Sequence, residues 1–373
     1  MKKIIAALLT LIMATALFAG CGQDNGDVAL PVNVGDTTPK PQESTDPGRD
    51  VTPGAALTRA PLGGTGMIAA GSIHNVGLRT NGTTVSGGHD QYGQRRTSNW
   101  TDIVFVAANK SATIGVKADG SALFAGEMTG SEAVSGWSNV YMAAMGGDFA
   151  VALLNDGTVT GTSGAPDVSA WSDMVWVAAG ESFAIGLKSD GTVAATAGAP
   201  DVSAWTNMVK IAAGADRAAG ITAEGKLVAS ISTAAFDANS DYVAVDVGAA
   251  GIAAVRADGS VVAAMEVEAD NNPLVYADSK DITAVKNAVS VAVGDTHAVV
   301  MDRTGYAYAY GKNTDLQCDV GTFNLRPYVE NVNGANYIRG IETGSTVEQA
   351  KKLIALFTGA DSVAITKADG SEA

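Results

Sequence analysis

The sequence predicts an all-β fold, a seven-bladed β-propeller, and three observations carry this prediction. The octapeptide GAPDVSAW occurs at 164–171 and again at 198–205. A turn glycine recurs seven times at intervals of 34 to 46 residues, and a Gly or Asn stands 11 residues before each copy. The intervening segments alternate like strands and show no helical spacing. Strand units repeated at such a period stack radially and close into a ring of ~4–8 blades.

The seven copies keep the same two marker positions. The turn glycines are Gly82, Gly120, Gly157, Gly191, Gly225, Gly259 and Gly305, and the earlier marker, called here the repeat residue, is Gly71, Asn109, Gly146, Gly180, Gly214, Gly248 and Gly294. The aspartates that recur beside the turn glycines are predicted to stabilise turns, because an acid–base pair would not be multiplied once per blade.

One unit, DMVWVAAGESFAIGLKSDGTVAATAGAPDVSAW at 173–205, shows how each blade is built. MVWVAAG predicts a strand that ends at the repeat glycine. The two alternating segments that meet at Asp190-Gly191 predict a hairpin. Pro200–Trp205 is expected to open an outer strand, so each blade should hold about four strands. Trp171 and Trp205 are predicted to pack between blades, with ligand stacking as the alternative.

The N-terminus predicts a bacterial lipoprotein. Lys2 and Lys3 precede an apolar run from Ile4 to Leu17, which is too short to span a membrane. Small residues then precede Cys21, as in a lipobox, so residues 1–21 are predicted to be a signal peptide and Cys21 the lipid-bearing end of the mature chain. The alternative is an ordinary signal peptide cleaved nearby.

Residues 22–61 are polar and rich in Pro, Thr, Asp and Gly, which predicts a disordered linker. The net charge of −15 disfavours nucleic acid as a partner, because like charges repel. We expect a monomer in the bacterial cell envelope, anchored through Cys21 on the extracytoplasmic side. If Cys21 carries lipid, Cys318 stands alone and no disulfide within the chain is possible.

Several segments resemble the repeats of the regulator-of-chromosome-condensation (RCC1-like) propeller family. They are DIVFVAANKSATIGVKADG, VAAGESFAIGLKSDGTV and VAVGDTHAVVMDRTG, together with SGGHDQYGQ at 86–94 and YGKNTDLQCDV at 310–320, which match the Gly-x-Asn-x-x-Gly-Gln loop of the family. The resemblance implies a propeller over residues 62–333. It also implies a structural role for His74 and His297, which stand in the Gly-x-x-His position.

The C-terminal residues 334–373 predict a β-α-β extension. RPYVENV at 326–332 resembles the lead-in to a further repeat and is expected to close the ring. A capping box at Ser345 and Glu348 starts the predicted helix, Gly359 ends it, and a strand follows at 362–367. The extension is either the start of a small appended module or a tail packed on the propeller.

The positions that vary between copies predict the binding site. The three residues after each repeat residue differ in charge and size, and loops on a rigid scaffold are where recognition is usual. Blades 3 to 5 group the partner-binding candidates, which are Asp148, Phe149, Glu181, Phe183, Asp216 and Arg217. The competing site is the edge near ring closure that contains the Gly-Gln loops at 86–94 and 310–317.

These features favour a non-catalytic binding or scaffold protein whose propeller mouth meets a protein or a cell-envelope polymer. No cofactor or metal is expected, since two histidines without a third ligand make a poor site. One alternative, implied by the resemblance, is an inhibitor of a secreted enzyme such as β-lactamase. The other is a glycan-active envelope enzyme, which would need two facing carboxylates ~5–10 Å apart.

Overall fold

The computed structural model describes residues 30–34, 66–79, 82–231, 236, 241–265, 282–302, 305–323, 325, 328–332, 335–339 and 363–365. The predicted signal peptide with Cys21, and the predicted helix at 345–359, lie outside these residues. Seven three-stranded antiparallel sheets follow one another along the chain, and these are the seven blades of a β-propeller. In each blade the strands lie in chain order from the axis outwards.

The strand bounds of the blades are regular. Blade 1 contains β2 (Ile68–Ala70), β3 (His74–Leu78) and β4 (Thr84–Gly88), and blade 2 contains β5 (Ile103–Ala108), β6 (Ala112–Lys117) and β7 (Ala122–Gly126). Blade 3 contains β8 (Val140–Met145), β9 (Ala150–Leu154) and β10 (Val159–Gly161), and blade 4 contains β11 (Met174–Ala179), β12 (Ala184–Lys188) and β13 (Val193–Ala195). Blade 5 contains β14 (Met208–Gly214), β15 (Arg217–Thr222) and β16 (Leu227–Ala229). Blade 6 contains β17 (Tyr242–Gly248), β18 (Gly251–Arg256) and β19 (Val261–Met265). Blade 7 contains β20 (Ala288–Val293), β21 (His297–Asp302) and β22 (Ala307–Gly311). Two 3-10 turns, Ser131–Gly136 and Ile282–Ala284, lie between blades.

The expected fourth strand is not formed in the described blades. Residues 199–207 form turns instead of an outer strand, and the duplicated octapeptide occupies this connection twice. Asp201 accepts hydrogen bonds from the backbone N–H and the hydroxyl of Ser203, and Asp167 does the same for Ser169. These local bonds give the backbone an alternative to a strand ladder.

The tryptophans before the inner strands pack on glycines of the middle strand that follows. A Cβ added to Gly186 would lie 2.8 Å from the ring of Trp171, and one on Gly115 would lie 2.7 Å from the ring of Trp100. Each ring therefore needs a residue without a side chain beneath it. This confirms a packing role for Trp171, and it explains why the middle strands contain glycine despite its cost in a strand.

The turn glycines between the middle and outer strands behave as predicted. All seven have φ between 74° and 89°, which only glycine adopts without strain. Asp190 accepts hydrogen bonds from the N–H and the hydroxyl of Thr192, and Asp119 does so from Ser121. These bonds hold the pKa of both carboxyls below their usual range. The recurrent aspartates therefore stabilise turns.

The ring closes between blades 7 and 1, where β20 contacts β2. Phe323 and Leu325, which follow blade 7, are buried against Gly77 in the middle strand of blade 1. They occupy the place that Trp100 takes for blade 2. The expectation that 326–332 supplies the closing strand is wrong, because β23 (Tyr328–Val332) pairs with β24 (Ala335–Arg339) instead.

A separate four-stranded sheet has the order β23-β24-β1-β25, where β1 is Leu30–Val34 and β25 is Val363–Ile365. Strand β1 pairs antiparallel with both β24 and β25. Residues 30–34 therefore depart from the predicted disordered linker. The alternating apolar residues of LPVNV are compatible with a strand at this position. Its pairing partners, however, lie about 300 residues away in the chain, and a local sequence pattern does not identify them.

Candidate functional site

The turns between the inner and middle strands form one end of the propeller, called here the upper rim. Each turn starts at a repeat residue, whose N–H donates to the carbonyl three residues later, as from Gly146 to Phe149 at 2.9 Å. Neighbouring turns are linked by hydrogen bonds between blades. These include Gly147 N to Glu181 O (3.0 Å), Glu181 N to Ala215 O (2.7 Å), Ala250 N to Gly294 O (3.2 Å) and Asp295 N to Gly71 O (3.3 Å).

This close approach explains the repeat glycines. A Cβ on Gly180 would lie 2.7 Å from Ala215 O of the next blade, and a Cβ on Gly294 would overlap Gly71 O across the closure. Asn109 is the exception, and its side-chain amide donates to Gly146 O of the next blade at 2.9 Å. At the upper rim, backbone hydrogen bonds among the described residues join four of the seven pairs of neighbouring blades, and the Asn109 side chain joins blades 2 and 3. The variable side chains are displayed on these linked turns.

The third residue after the repeat residue is buried in six of the seven described blades, and Arg217 of blade 5 is the exception. Phe149 and Phe183 are 3% and 1% exposed, and each ring lies against its own repeat glycine. Both were predicted to contact a partner. Their burial contradicts that role, because a ring packed between blades is not available on the surface. In other blades His74, Ala112 and His297 are buried at the same position.

The charged candidates remain on the surface of blades 3 to 5. Asp148, Glu181 and Asp216 are exposed. Asp148 accepts hydrogen bonds from the N–H and the hydroxyl of Thr129, which lower the pKa of its carboxyl. Asp216 lies 3.4 Å from the guanidinium of Arg217, which also donates to Ala249 O in blade 6. The rim thus presents carboxylates in fixed positions.

An ion pair stands at the mouth of the central channel. Lys110 Nζ of blade 2 lies 2.5 Å from Glu181 Oε1 of blade 4, so the pair passes over blade 3. A hydrogen bond to Glu181, with the nearby charges of Glu181 and Asp295, raises the pKa of Lys110 although partial desolvation opposes it. Sequence analysis missed Lys110. The signal was its position directly after a repeat residue, the same position as Glu181 and Asp295.

The central channel is lined by the inner strands of all seven blades. Alanines recur along this wall, among them Ala69, Ala70, Ala178 and Ala179. Asp246 of β17 lies among them, and its Oδ2 accepts a hydrogen bond of 2.7 Å from the N–H of Val293 in blade 7. Burial raises the pKa of this carboxyl to about 7, and hydrogen bonds from Val293 and Val247 oppose the shift.

The two histidines of the Gly-x-x-His position join blades. His74 Nε2 donates to Thr113 Oγ1 in blade 2 (2.9 Å), and that hydroxyl donates to Gln94 O (2.8 Å). His297 Nε2 donates to Asn75 Oδ1 in blade 1 (2.6 Å). Burial lowers the pKa of His74 to about 4 and that of His297 to about 3, so both are neutral. Among the described residues, no group of three or more metal-ligating side chains accompanies them.

The competing surface, called here the closure edge, contains the predicted loops 86–94 and 310–317. Their turns follow the outer strands and cover residues 89–97 and 312–319. Their starts lie beside the upper rim, because His89 N donates to Ile73 O and Lys312 N to Thr296 O. The glutamine of each loop folds back on its own backbone, with Gln94 Oε1 accepting from Tyr92 N. Tyr92 and Leu316 are 37% and 52% exposed. Cys318 lies in the second loop, and its thiol is buried.

Within the part of the chain that the structure describes, no helix has the length and apolar character needed to cross a bilayer.

Comparison with known proteins identifies the fold. No family model and no curated protein matches the chain. Among solved structures it is similar to the ectodomain of the receptor kinase CR4 from Physcomitrella patens, with 13% identity, a TM-score of 0.51 and coverage of 72% of this chain and 75% of that chain. The CRINKLY WD40 ectodomain of ACR4 from Arabidopsis thaliana has 14% identity, 66% and 96% coverage and a TM-score of 0.49. Prp20p from Saccharomyces cerevisiae has 16% identity, 76% and 83% coverage and a TM-score of 0.39. At these identities the likeness concerns the fold, and the CR4 ectodomain supports the propeller.

Proposed function

We propose that this chain is a non-catalytic binding protein, anchored through Cys21 on the extracytoplasmic side of a bacterial envelope, whose upper rim binds a basic protein or a cationic polymer. The observation that carries the proposal is the exposed set Asp148, Glu181 and Asp216 on three successive blades. These side chains stand on the linked turns of the upper rim. Two of the three carboxylates are paired with the cations Lys110 and Arg217, and the group keeps a net negative charge that attracts and orients a partner of opposite charge.

Variation among the copies supports the same conclusion. The rim position that holds Glu181 holds Ser, Lys, Gly, Ala and Asp elsewhere, although the backbone turn is shared. The packing of the turn therefore does not dictate the side chain. Enzyme inhibition through mouth aromatics gains no support, because Phe149 and Phe183 are buried.

Binding of poly-lysine to the full chain in detergent micelles tests the proposal. The rim variant carries Asp148→Asn, Glu181→Gln and Asp216→Asn. The control carries Asp119→Asn, Asp190→Asn and Asp258→Asn, which remove the same charge from turns at the opposite end of the blades. We expect the rim variant to lose at least about tenfold in affinity, and the control to change less than about threefold.

The salt dependence of the affinity for poly-lysine separates binding by local contacts from attraction by the net charge of the protein. Exposed charges further apart than about 8 Å are largely screened at physiological ionic strength. Equal losses in the two triple variants would show that poly-lysine responds only to overall charge and would refute the rim as the site. A loss confined to a Tyr92→Ala and Leu316→Ala double variant would move the site to the closure edge.

A further inference from the structure

One position of the channel wall differs between the blades in a way that packing does not explain. Two residues before the repeat residue, each inner strand places a side chain on the wall of the channel. Six of the seven blades have alanine there, namely Ala69, Ala107, Ala144, Ala178, Ala212 and Ala292. Blade 6 has Asp246. Because six copies fill the position with a methyl group, the scaffold does not require a carboxylate.

The carboxylate is costly at this position. Asp246 is bonded to the backbone N–H of Val293, and burial is the main cause of its raised pKa. Partly desolvated charges without a counter-ion destabilise a fold. The other titratable groups among the described channel-lining residues are Lys110, Glu181 and Asp295, which stand at the mouth. Asp246 precedes its repeat glycine by two residues, so it lies about 7 Å deeper along the strand.

The neighbouring groups indicate what the carboxylate would bind. One carboxylate is too few for Ca²⁺, which takes 6–8 oxygen ligands. At the mouth, the ammonium of Lys110 is already held by Glu181 at 2.5 Å, with Asp295 near enough to raise its pKa. The mouth therefore accommodates a primary ammonium on a slender chain, and alanines leave the space below it narrow but uncharged except at Asp246.

We propose that the central channel binds a primary ammonium group on an unbranched alkyl chain, with Asp246 as its counter-ion and the Lys110–Glu181 ion pair as the gate at the mouth. Such a group is carried by a lysine side chain and by a free diamine or polyamine. The lysine source rests on the proposed function, since a basic partner on the rim would present it. A free diamine requires only the channel.

Titration calorimetry of the full chain in micelles, with 1,5-diaminopentane as the probe, tests the site. We expect binding at about pH 8, and at least about tenfold weaker binding in Asp246→Ala, which restores the alanine of the other blades. Asp190→Ala removes an equal charge from an exposed turn and should change the affinity less than about twofold. Lys110→Ala removes the protein's own ammonium group, which would compete with the diamine at the mouth, and should therefore strengthen diamine binding.

Acidity and the choice of probe complete the test. At about pH 5.5 Asp246 is largely protonated, so wild-type binding should weaken at least about tenfold, while Asp246→Ala should not respond. A lysine-containing peptide compared with its acetyl-lysine form reports whether a protein side chain enters. Equal diamine affinity in wild type and Asp246→Ala, or no diamine binding at all, would overturn the channel site. Neither result alters the poly-lysine test of the rim.

Discussion

His297 Nε2 donates a hydrogen bond of 2.6 Å to Asn75 Oδ1, and this bond joins the last blade to the first across 222 residues of sequence. His74 makes the equivalent bond to Thr113 in blade 2. Where phenylalanine replaces the histidine, the facing residue is alanine. Phe149 shares a core cluster with Ala184, and Phe183 shares one with Ala218. The repeat therefore uses two matched pairs at one kind of contact, a polar one and an apolar one.

We predict that the two pairs can be exchanged together but not singly. His297→Phe leaves Asn75 Oδ1 buried without a donor, and Asn75→Ala leaves the histidine Nε2–H without an acceptor. Each single change should cost about 1–3 kcal/mol of unfolding free energy. The double change recreates the Phe–Ala pair of blades 3 and 4, so its cost should fall about 1 kcal/mol or more below the sum. Urea denaturation of the four proteins measures this coupling. Additive costs would show that the contact is not a pair.

The repeat glycines should tolerate no Cβ. In Gly294→Ala the added carbon would meet Gly71 O of blade 1, which is backbone and cannot rotate away. Overpacking of this kind costs about 1–3 kcal/mol. Gly136 offers a matched control, because a Cβ there would meet nothing within 4 Å. Thermal unfolding should show a lower Tm for Gly294→Ala and little change for Gly136→Ala. Equal Tm values for the two variants would show that close approach of the backbones is not the reason why glycine recurs at this position.

The proposed lipid anchor on Cys21 gives a direct prediction. If Cys21 bears the lipid, cells fed an alkyne-tagged fatty acid should label the wild-type chain and leave Cys21→Ser unlabelled. Cys318→Ser is the control, because the Cys318 thiol is buried and should not change labelling. The unlabelled variant should also leave the membrane fraction, since anchoring of this class depends on the acyl chains. Labelling that persists in Cys21→Ser would contradict lipidation at this residue.

The seven-blade architecture could be predicted because repetition makes one sequence its own comparison. The positions of Gly191 and its equivalents, and of the Ala pairs on the channel wall, follow from local turn chemistry and crowding at the axis. The direction of a side chain after a tight turn is not local. Phe149 follows its repeat glycine by three residues and turns inwards because the next blade provides a small residue at Ala184.

The ion pair of Lys110 with Glu181 joins blades 2 and 4, and no sequence pattern reports contacts across a ring. A fourth strand per blade is predicted but not formed in the described blades, because aspartates such as Asp201 fold the connection into turns. Asp246 stands where the other six copies have alanine.

Asp246 predicts an unusual dependence of stability on pH. Its folded pKa is about 7 against a usual value of 3.8, so the folded state binds the proton more tightly than the unfolded chain does. The protonated Asp246 carboxyl therefore makes its whole contribution to the free energy of unfolding below about pH 4. This contribution falls as the pH rises to 7 and is lost above that pH. A shift of this size corresponds to at most about 4 kcal/mol. The buried histidines His74 and His297 act in the opposite direction, since their lowered pKa values make stability fall as pH drops below about 6.5.

The variant Asp246→Ala isolates the effect of the Asp246 carboxyl from that of the histidines. Its free energy of unfolding should exceed that of the wild type at pH 8, and the difference should shrink towards pH 4. A difference that does not vary with pH would show that Asp246 is ionised in the folded protein throughout this range.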